Sequence, residues 1–160
     1  MSLKTQDLFD VSNKVVVVTG GSRGIGEMIT SGFLANNSKV YITARKEEAL
    51  VKKADELSQK YSCECIPVSG DISNSEGIDA LVNVLNDAEP EGIDFLINNA
   101  GAAWGANYDD FPESGWDKVV DLNLKTPFFL TQKLTPLLEK KGTSEDPSRV
   151  VNIASIDGLH

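Results

Sequence analysis

The sequence predicts an α/β domain built on a doubly wound parallel sheet. Three observations carry that prediction. Short β-branched apolar runs alternate with amphipathic stretches from one end of the chain to the other, the order that builds parallel strands joined by right-handed helical crossovers. The first run, KVVVVT, is apolar at four successive positions, as a strand covered on both faces must be. It leads directly into a glycine cluster, TGGSRGIG, and from there into a helical pattern.

Each element has its own signal. After the glycines, Ile25, Met28, Ile29, Gly32 and Phe33 recur at three- and four-residue spacing, which predicts them as the inward face of a helix. KVYITA is the second strand. RKEEALVKKADELSQKY is helical, with Leu50, Ala54 and Leu57 inward. CECIPVS is the third strand, placing Cys63 and Cys65 on one face. Two cysteines without a nearby histidine cannot complete a zinc site, so they read as small core or edge residues and no metal is expected. SNSEGIDALVNVLNDA is a helix capped by Ser73 or Ser75 that buries Ile78, Leu81, Val82 and Leu85. IDFLINNAG is the fourth strand and its turn. SGWDKVVDLNLKTPFFLTQKLTPLLEKKG reads as one long helix stopped by Gly142. Pro127 lies inside that stretch and lacks an N–H, so a bend near Asn123 is expected. GTSEDPS is a polar loop, and RVVNIAS is the fifth strand, carrying Ser155 at its end.

At 160 residues the chain suits one domain, residues 1–160, burying roughly two-thirds of its unfolded surface. Fifteen basic against twenty-four acidic side chains give a formal charge of −9, which opposes binding to a phosphate polymer. No nucleic-acid partner is expected. The longest apolar runs, such as Val15 to Val18, fall far short of the roughly 20 residues that span a bilayer. The N-terminal MSLKTQDLFDVSNK has neither a signal-peptide core nor a transit-peptide bias. A cytoplasmic protein without membrane association is therefore the expectation.

A glycine-rich turn between strand and helix lets backbone approach a pyrophosphate, while the helix presents free N–H groups and its positive dipole end to the same anion. Gly20, Gly24 and Gly26 take the positions of turn, approach and helix packing. The context, after the first strand and before a helix, is the one a Rossmann dinucleotide site requires. Gly20 to Gly24 also fits G-x-S-x-G, the nucleophile elbow of α/β-hydrolases. That alternative needs a downstream acid and then a histidine, and the only histidine is His160. Ser22 reads better as a hydroxyl and N–H lining the phosphate turn. At the end of the second strand, where a carboxylate would bind the ribose 2′-OH of NAD, this sequence has Arg45 and Lys46. With Arg23 they would attract a 2′-phosphate, which points to NADP; alternatively they only begin a solvated helix.

With TGGSRGIG, NNAG at Asn98 to Gly101, Asn123 in DLNL and Ser155 in VVNIAS, the chain resembles the short-chain dehydrogenase/reductase family. Within it, the wording is most similar to 3-ketoacyl reductases, including the branch associated with rhamnolipid synthesis. The resemblance implies hydride transfer between NADP(H) and a carbonyl or secondary alcohol, possibly a 3-ketoacyl thioester. It implies that Gly20, Ser22, Arg23, Gly24, Ile25 and Gly26 cradle the cofactor phosphates and that Arg45 binds the 2′-phosphate. Asp71 and Ile72 would flank adenine, with a helix cap or turn as the other role for Asp71. Asn99, Ala100 and Gly101 would pass beneath the adenosine ribose. Ser155 would hydrogen-bond the substrate carbonyl and stabilise charge as hydride arrives; Asn123 would hold a relay water through its backbone carbonyl. On their own, these two would read as a strand-end turn serine and a helix-surface asparagine.

The family's general acid is a tyrosine with a lysine four residues later, about a dozen residues beyond Ser155. Tyr41, Tyr61 and Tyr108 are followed at that spacing by Arg45, Cys65 and Pro112, so none fits. The expectation is an N-terminal part of a reductase of roughly 250 residues, truncated after the fifth strand, with an open sheet edge and an uncovered apolar face. A homo-oligomer is expected for the full-length form. The alternative is a catalytically inactive nucleotide-binding fragment or interaction module. A methyl-donor Rossmann enzyme would not combine NNAG with these asparagine and serine positions.

Overall fold

The computed structural model describes residues 9–156. Strand β1 (Val15–Thr19) lies at the centre of a five-stranded sheet, with helix α1 (Gly24–Ala35), β2 (Lys39–Ala44), α2 (Glu47–Tyr61), β3 (Cys65–Ser69), α3 (Ser75–Ala88) and β4 (Phe95–Asn98) following. A 3-10 turn (Tyr108–Asp110), α4 (Glu113–Val120), a π turn (Asp121–Lys125), α5 (Thr126–Lys141) and β5 (Arg149–Asn152) complete the order. The strands run β3-β2-β1-β4-β5 and every neighbouring pair is parallel. Strand order therefore reverses between β1 and β4, and a crevice opens there at the carboxyl ends of the strands.

The unbroken apolar character of β1 follows from its position between two cores. Val15 and Val17 pack with the helices α3 and α5, through Leu81, Leu85, Leu130 and Leu134. Val16 and Val18 pack on the other face with α1 and α2, through Leu34, Leu50 and Leu57. The inward faces expected for α2 and α3 are the buried ones. At the amino ends of the strands, buried Asp94 accepts from the Val15 N–H (2.9 Å) and pairs with Lys14 (3.1 Å), tying β4 to β1. Among the described residues, no helix is long and apolar enough to cross a membrane.

Three expectations need correction, and a fourth gains detail. Helix α1 does not turn Ile25 and Met28 inward: they are 61% and 73% exposed, and the buried face is Gly26, Thr30 and Leu34. The cap of α3 is Asn74, whose side chain accepts from the Gly77 N–H at 2.8 Å; Ser73 instead donates to Asp71. The long helix expected here runs helically from Glu113 to Lys141 with Gly142 at its end, and the irregularity expected near Asn123 is the π turn within it. Pro127 is the second residue of α5, where a missing N–H is tolerated. Finally, β5 ends at Asn152, so Ser155 lies beyond the strand. β5 pairs with β4 alone among the described residues, and Val150 and Val151 stand about two-fifths exposed.

Two buried groups make stability sensitive to alkali. Burial first, and the neighbouring Cys63 second, push the Cys65 thiol from 9.0 to about 12. Burial, and then the hydrogen bond to Glu89 (2.5 Å), push the Tyr41 phenol from 10.0 to about 12. Both pKa values are raised, so the folded state keeps protons that the unfolded chain gives up first. Their stabilisation is complete below about pH 9 and disappears as pH rises toward about 12. Urea midpoints should fall steadily above about pH 9, with the onset delayed in Cys65→Ala; a midpoint constant through that window would contradict this.

Candidate functional site

The site begins where β1 ends. Gly20 and Gly24 adopt left-handed backbone, with φ of 66° and 54°, and so turn the chain sharply into α1 at little steric cost. A Cβ built on Gly24 would meet nothing within 4 Å, which leaves that backbone open to close approach. The residue preceding α1, Arg23, makes no side-chain cap bond. The unpaired N–H groups of the first turn are thus available to an anion. Gly26 faces inward against the Gly20 carbonyl.

Thr19 joins this turn to the end of β4. Its buried hydroxyl accepts from the backbone N–H groups of Asn99 (3.0 Å) and Ala100 (2.9 Å). The Asn99 side chain returns the contact, donating to the carbonyls of Thr19 (2.9 Å) and Gly20 (3.2 Å). Two loops eighty residues apart are locked as one floor. Thr43, at the end of β2, adds its carbonyl as acceptor for the Gly20 N–H at 3.1 Å. Asn98, beneath them, donates to Thr131 (3.2 Å) and Asn152 (2.9 Å), tying β4 to α5 and β5.

Above this floor is a cleft of about 970 Å³. All twelve residues expected to bind cofactor line it: the six of the glycine turn, Arg45, Asp71, Ile72 and Asn99 to Gly101. Asp71 accepts from the Ser73 hydroxyl (2.7 Å) and N–H (3.1 Å). Chiefly that hydroxyl, with the Arg45 charge adding to it, holds the carboxyl below the usual range. The turn role and the cleft position of Asp71 therefore coexist. Four cations line the cleft, Arg23, Arg45, Lys46 and Lys118. Among the described residues none of the four has a carboxylate within 4.0 Å, whereas Lys14, Lys39, Lys53, Lys125, Lys133 and Arg149 all do. The lining also holds the carboxylates of Asp71 and Asp121, and the excess of positive charge that remains, in a chain of charge −9, suits a multiply charged anion.

Asn123 and Ser155 are not among the residues lining the cleft. Asn123, in the π turn, grips the cleft wall from behind: its side chain accepts from the Ala102 N–H (2.8 Å) and donates to the Ala102 carbonyl (2.9 Å). In an unbroken α-helix the N–H of residue 127 would donate to the carbonyl of residue 123; Pro127 has none to give. Ser155 is exposed, three residues past β5; the last strand-like bond before it runs from the Ile153 N–H to the Asn98 carbonyl at 2.9 Å. Sequence reasoning missed Thr19, Thr43, Lys118 and Thr126. The Thr126 hydroxyl, shared between the carbonyls of Ile72 (2.6 Å) and Asp121 (2.8 Å), ties the third strand's end to the π turn. For Thr19 the signal was its place at the head of the glycine motif.

Residues 14–160 match the short chain dehydrogenase family. The chain is 41% identical over 151 residues, 94% of its length, to a Pseudomonas aeruginosa protein described as a rhamnolipids biosynthesis 3-oxoacyl-[acyl-carrier-protein] reductase. Its structure is similar to that of a Pseudomonas aeruginosa RhlG/NADP active-site complex, with a TM-score of 0.90 and 40% identity over 95% of the chain and 58% of that protein. It is also similar to L-sorbose reductase from Gluconobacter frateurii complexed with NADPH and L-sorbose, with a TM-score of 0.84 and 29% identity over 91% of the chain and 54% of the reductase. The chain spans 58% of the length of the Pseudomonas reductase it matches. By its sheet order, its glycine turn and a family match over nearly its whole length, the chain belongs to the short chain dehydrogenase family.

Proposed function

We propose that the chain forms the dinucleotide-binding part of an NADP-dependent oxidoreductase that moves hydride between nicotinamide and a carbonyl or secondary alcohol, with 3-ketoacyl thioesters as its substrate class. The observation that carries the binding half is the convergence of the glycine turn, Arg45, Asp71 and the Asn99 to Gly101 turn on one cleft lined by an excess of cations. Similarity to a 3-oxoacyl reductase and to an NADP complex supports the substrate class and the cofactor.

When bound, the dinucleotide supplies or accepts the hydride. Gly20, Ser22, Arg23, Gly24, Ile25 and Gly26 hold its phosphates, Arg45 its 2′-phosphate, Asp71 and Ile72 its adenine, and Asn99, Ala100 and Gly101 support the ribose. Ser155 donates to the substrate oxygen, and the Asn123 carbonyl, to which Pro127 cannot donate, holds a water for proton transfer.

The test is a titration with NADPH and NADH. Arg45→Asp should weaken NADPH by roughly tenfold or more, the value of a charge-assisted hydrogen bond, and leave NADH nearly unchanged. Equal losses would sink the NADP preference, and a parent chain that binds neither would sink the whole reading. A second reading is binding without turnover: among the described residues no tyrosine lines the cleft, and Tyr41 donates to Glu89. NADPH binding with no oxidation in the presence of a 3-ketoacyl thioester would select it for these 160 residues.

A further inference from the structure

One cation of the cleft is held unlike the others. The Lys118 ammonium stands 5.0 Å from the centre of the Trp104 indole. That ring is itself fixed: a Cβ on Gly115, the buried residue of α4, would lie 2.6–2.7 Å from three indole atoms. Two residues earlier in the same loop, Ala102 is clamped by Asn123. The indole therefore gives Lys118 a defined resting place without cancelling its charge, since a ring face attracts a cation only weakly at an exposed site.

Lys118 also lies at a particular end of the cleft. Asp121 and Leu122, three and four residues on along the same helical face, line the cleft beside it. Thr126 binds the Asp121 carbonyl to the Ile72 carbonyl, which sets this wall against the end of β3. Arg45 acts on Asp71 at the same end. Asp121, on the same wall, pairs with Lys125 (3.3 Å) rather than with Lys118.

We propose that Lys118, resting on the Trp104 indole, contacts the adenosine-phosphate end of the bound dinucleotide, sharing that end with Arg45. The proposal rests on the dinucleotide reading of the cleft. Binding draws the ammonium from the ring toward phosphate, so Trp104 reports the event.

The probe is adenosine 2′,5′-bisphosphate, which carries the adenosine phosphates without nicotinamide. Trp104 and Trp116 are the only tryptophans, so Trp116→Phe leaves indole emission to Trp104. In that background the parent should change its emission on saturation. Lys118→Met, which keeps the apolar stem of an exposed side chain, should lose the emission change and bind roughly tenfold more weakly by calorimetry. Lys118→Arg should retain both. If Lys118→Met binds as tightly as the parent, or shows the same emission change, the proposal is overturned. Weakening by Arg45→Asp alone would overturn Lys118 and leave the cleft reading standing; a parent that does not bind the bisphosphate overturns both.

Discussion

Thr19→Val should lower the unfolding free energy by about 2–6 kcal/mol and remove most dinucleotide binding in the same step. Valine keeps the shape of threonine and replaces only the hydroxyl. That hydroxyl is the acceptor for two backbone N–H groups, those of Asn99 and Ala100, at 3.0 and 2.9 Å. Thr19 is 2% exposed, so water cannot readily replace it. Each N–H left without a partner costs about 1–3 kcal/mol. The same loss frees the Asn99 to Gly101 turn from the glycine turn, and the cleft floor loses its shape. Thr19→Ser returns the oxygen and should recover most of both quantities, a rescue that a mere packing role would not produce. Urea unfolding and NADPH titration of the three proteins decide the matter. A valine variant within about 0.5 kcal/mol of the parent, the ordinary range for surface changes, would contradict it.

Much of the fold was legible because its signals are apolar and local. The two-sided burial of β1 appears as four valines in succession, and Leu50, Ala54 and Leu57 mark the inner face of α2 by spacing alone. Helix α1 defeated the same reasoning. Its inner face is built from Gly26 and Thr30, chosen for closeness to the first turn, where Thr30 donates to the Gly26 carbonyl at 2.8 Å. Hydropathy therefore pointed to Ile25 and Met28, both exposed, the first of them lining the cleft. The π turn was legible only as an irregularity near Asn123, signalled by Pro127, because an extra residue shifts the apolar stripe by about 100° without changing its spacing on either side. At the site, motif residues converge on one cleft, yet their mutual locks are not readable in sequence. Thr19 and Asn99 meet across eighty residues, and Lys118 joins them only because α4 is set against the end of β3 through Thr126 and the π turn.

Two glycines of α1 should respond to the same substitution with opposite signs. Alanine is the better helix former by about 1 kcal/mol. Gly32 lies inside α1 with nothing within 4 Å of a built Cβ, so Gly32→Ala should stabilise by about 0.5–1 kcal/mol. At Gly26 a Cβ would stand 2.2 Å from the Gly20 carbonyl oxygen and 2.5 Å from Asn99 Nδ2. Neither neighbour can yield cheaply. Gly20 is backbone in a left-handed turn, and the Asn99 amide is already bonded to Thr19 and Gly20. Relief requires α1 to move off the sheet or the turn to open, and overpacking of this kind costs about 1–3 kcal/mol. Opening the turn also spoils the anion cradle, so Gly26→Ala should lose NADPH affinity as well as stability, while Gly32→Ala keeps its affinity. Thermal unfolding and NADPH titration of the pair separate helix propensity from steric demand. Equal shifts in the two variants would mean that the glycine turn and α1 are not packed as closely as the 2.2 Å approach requires.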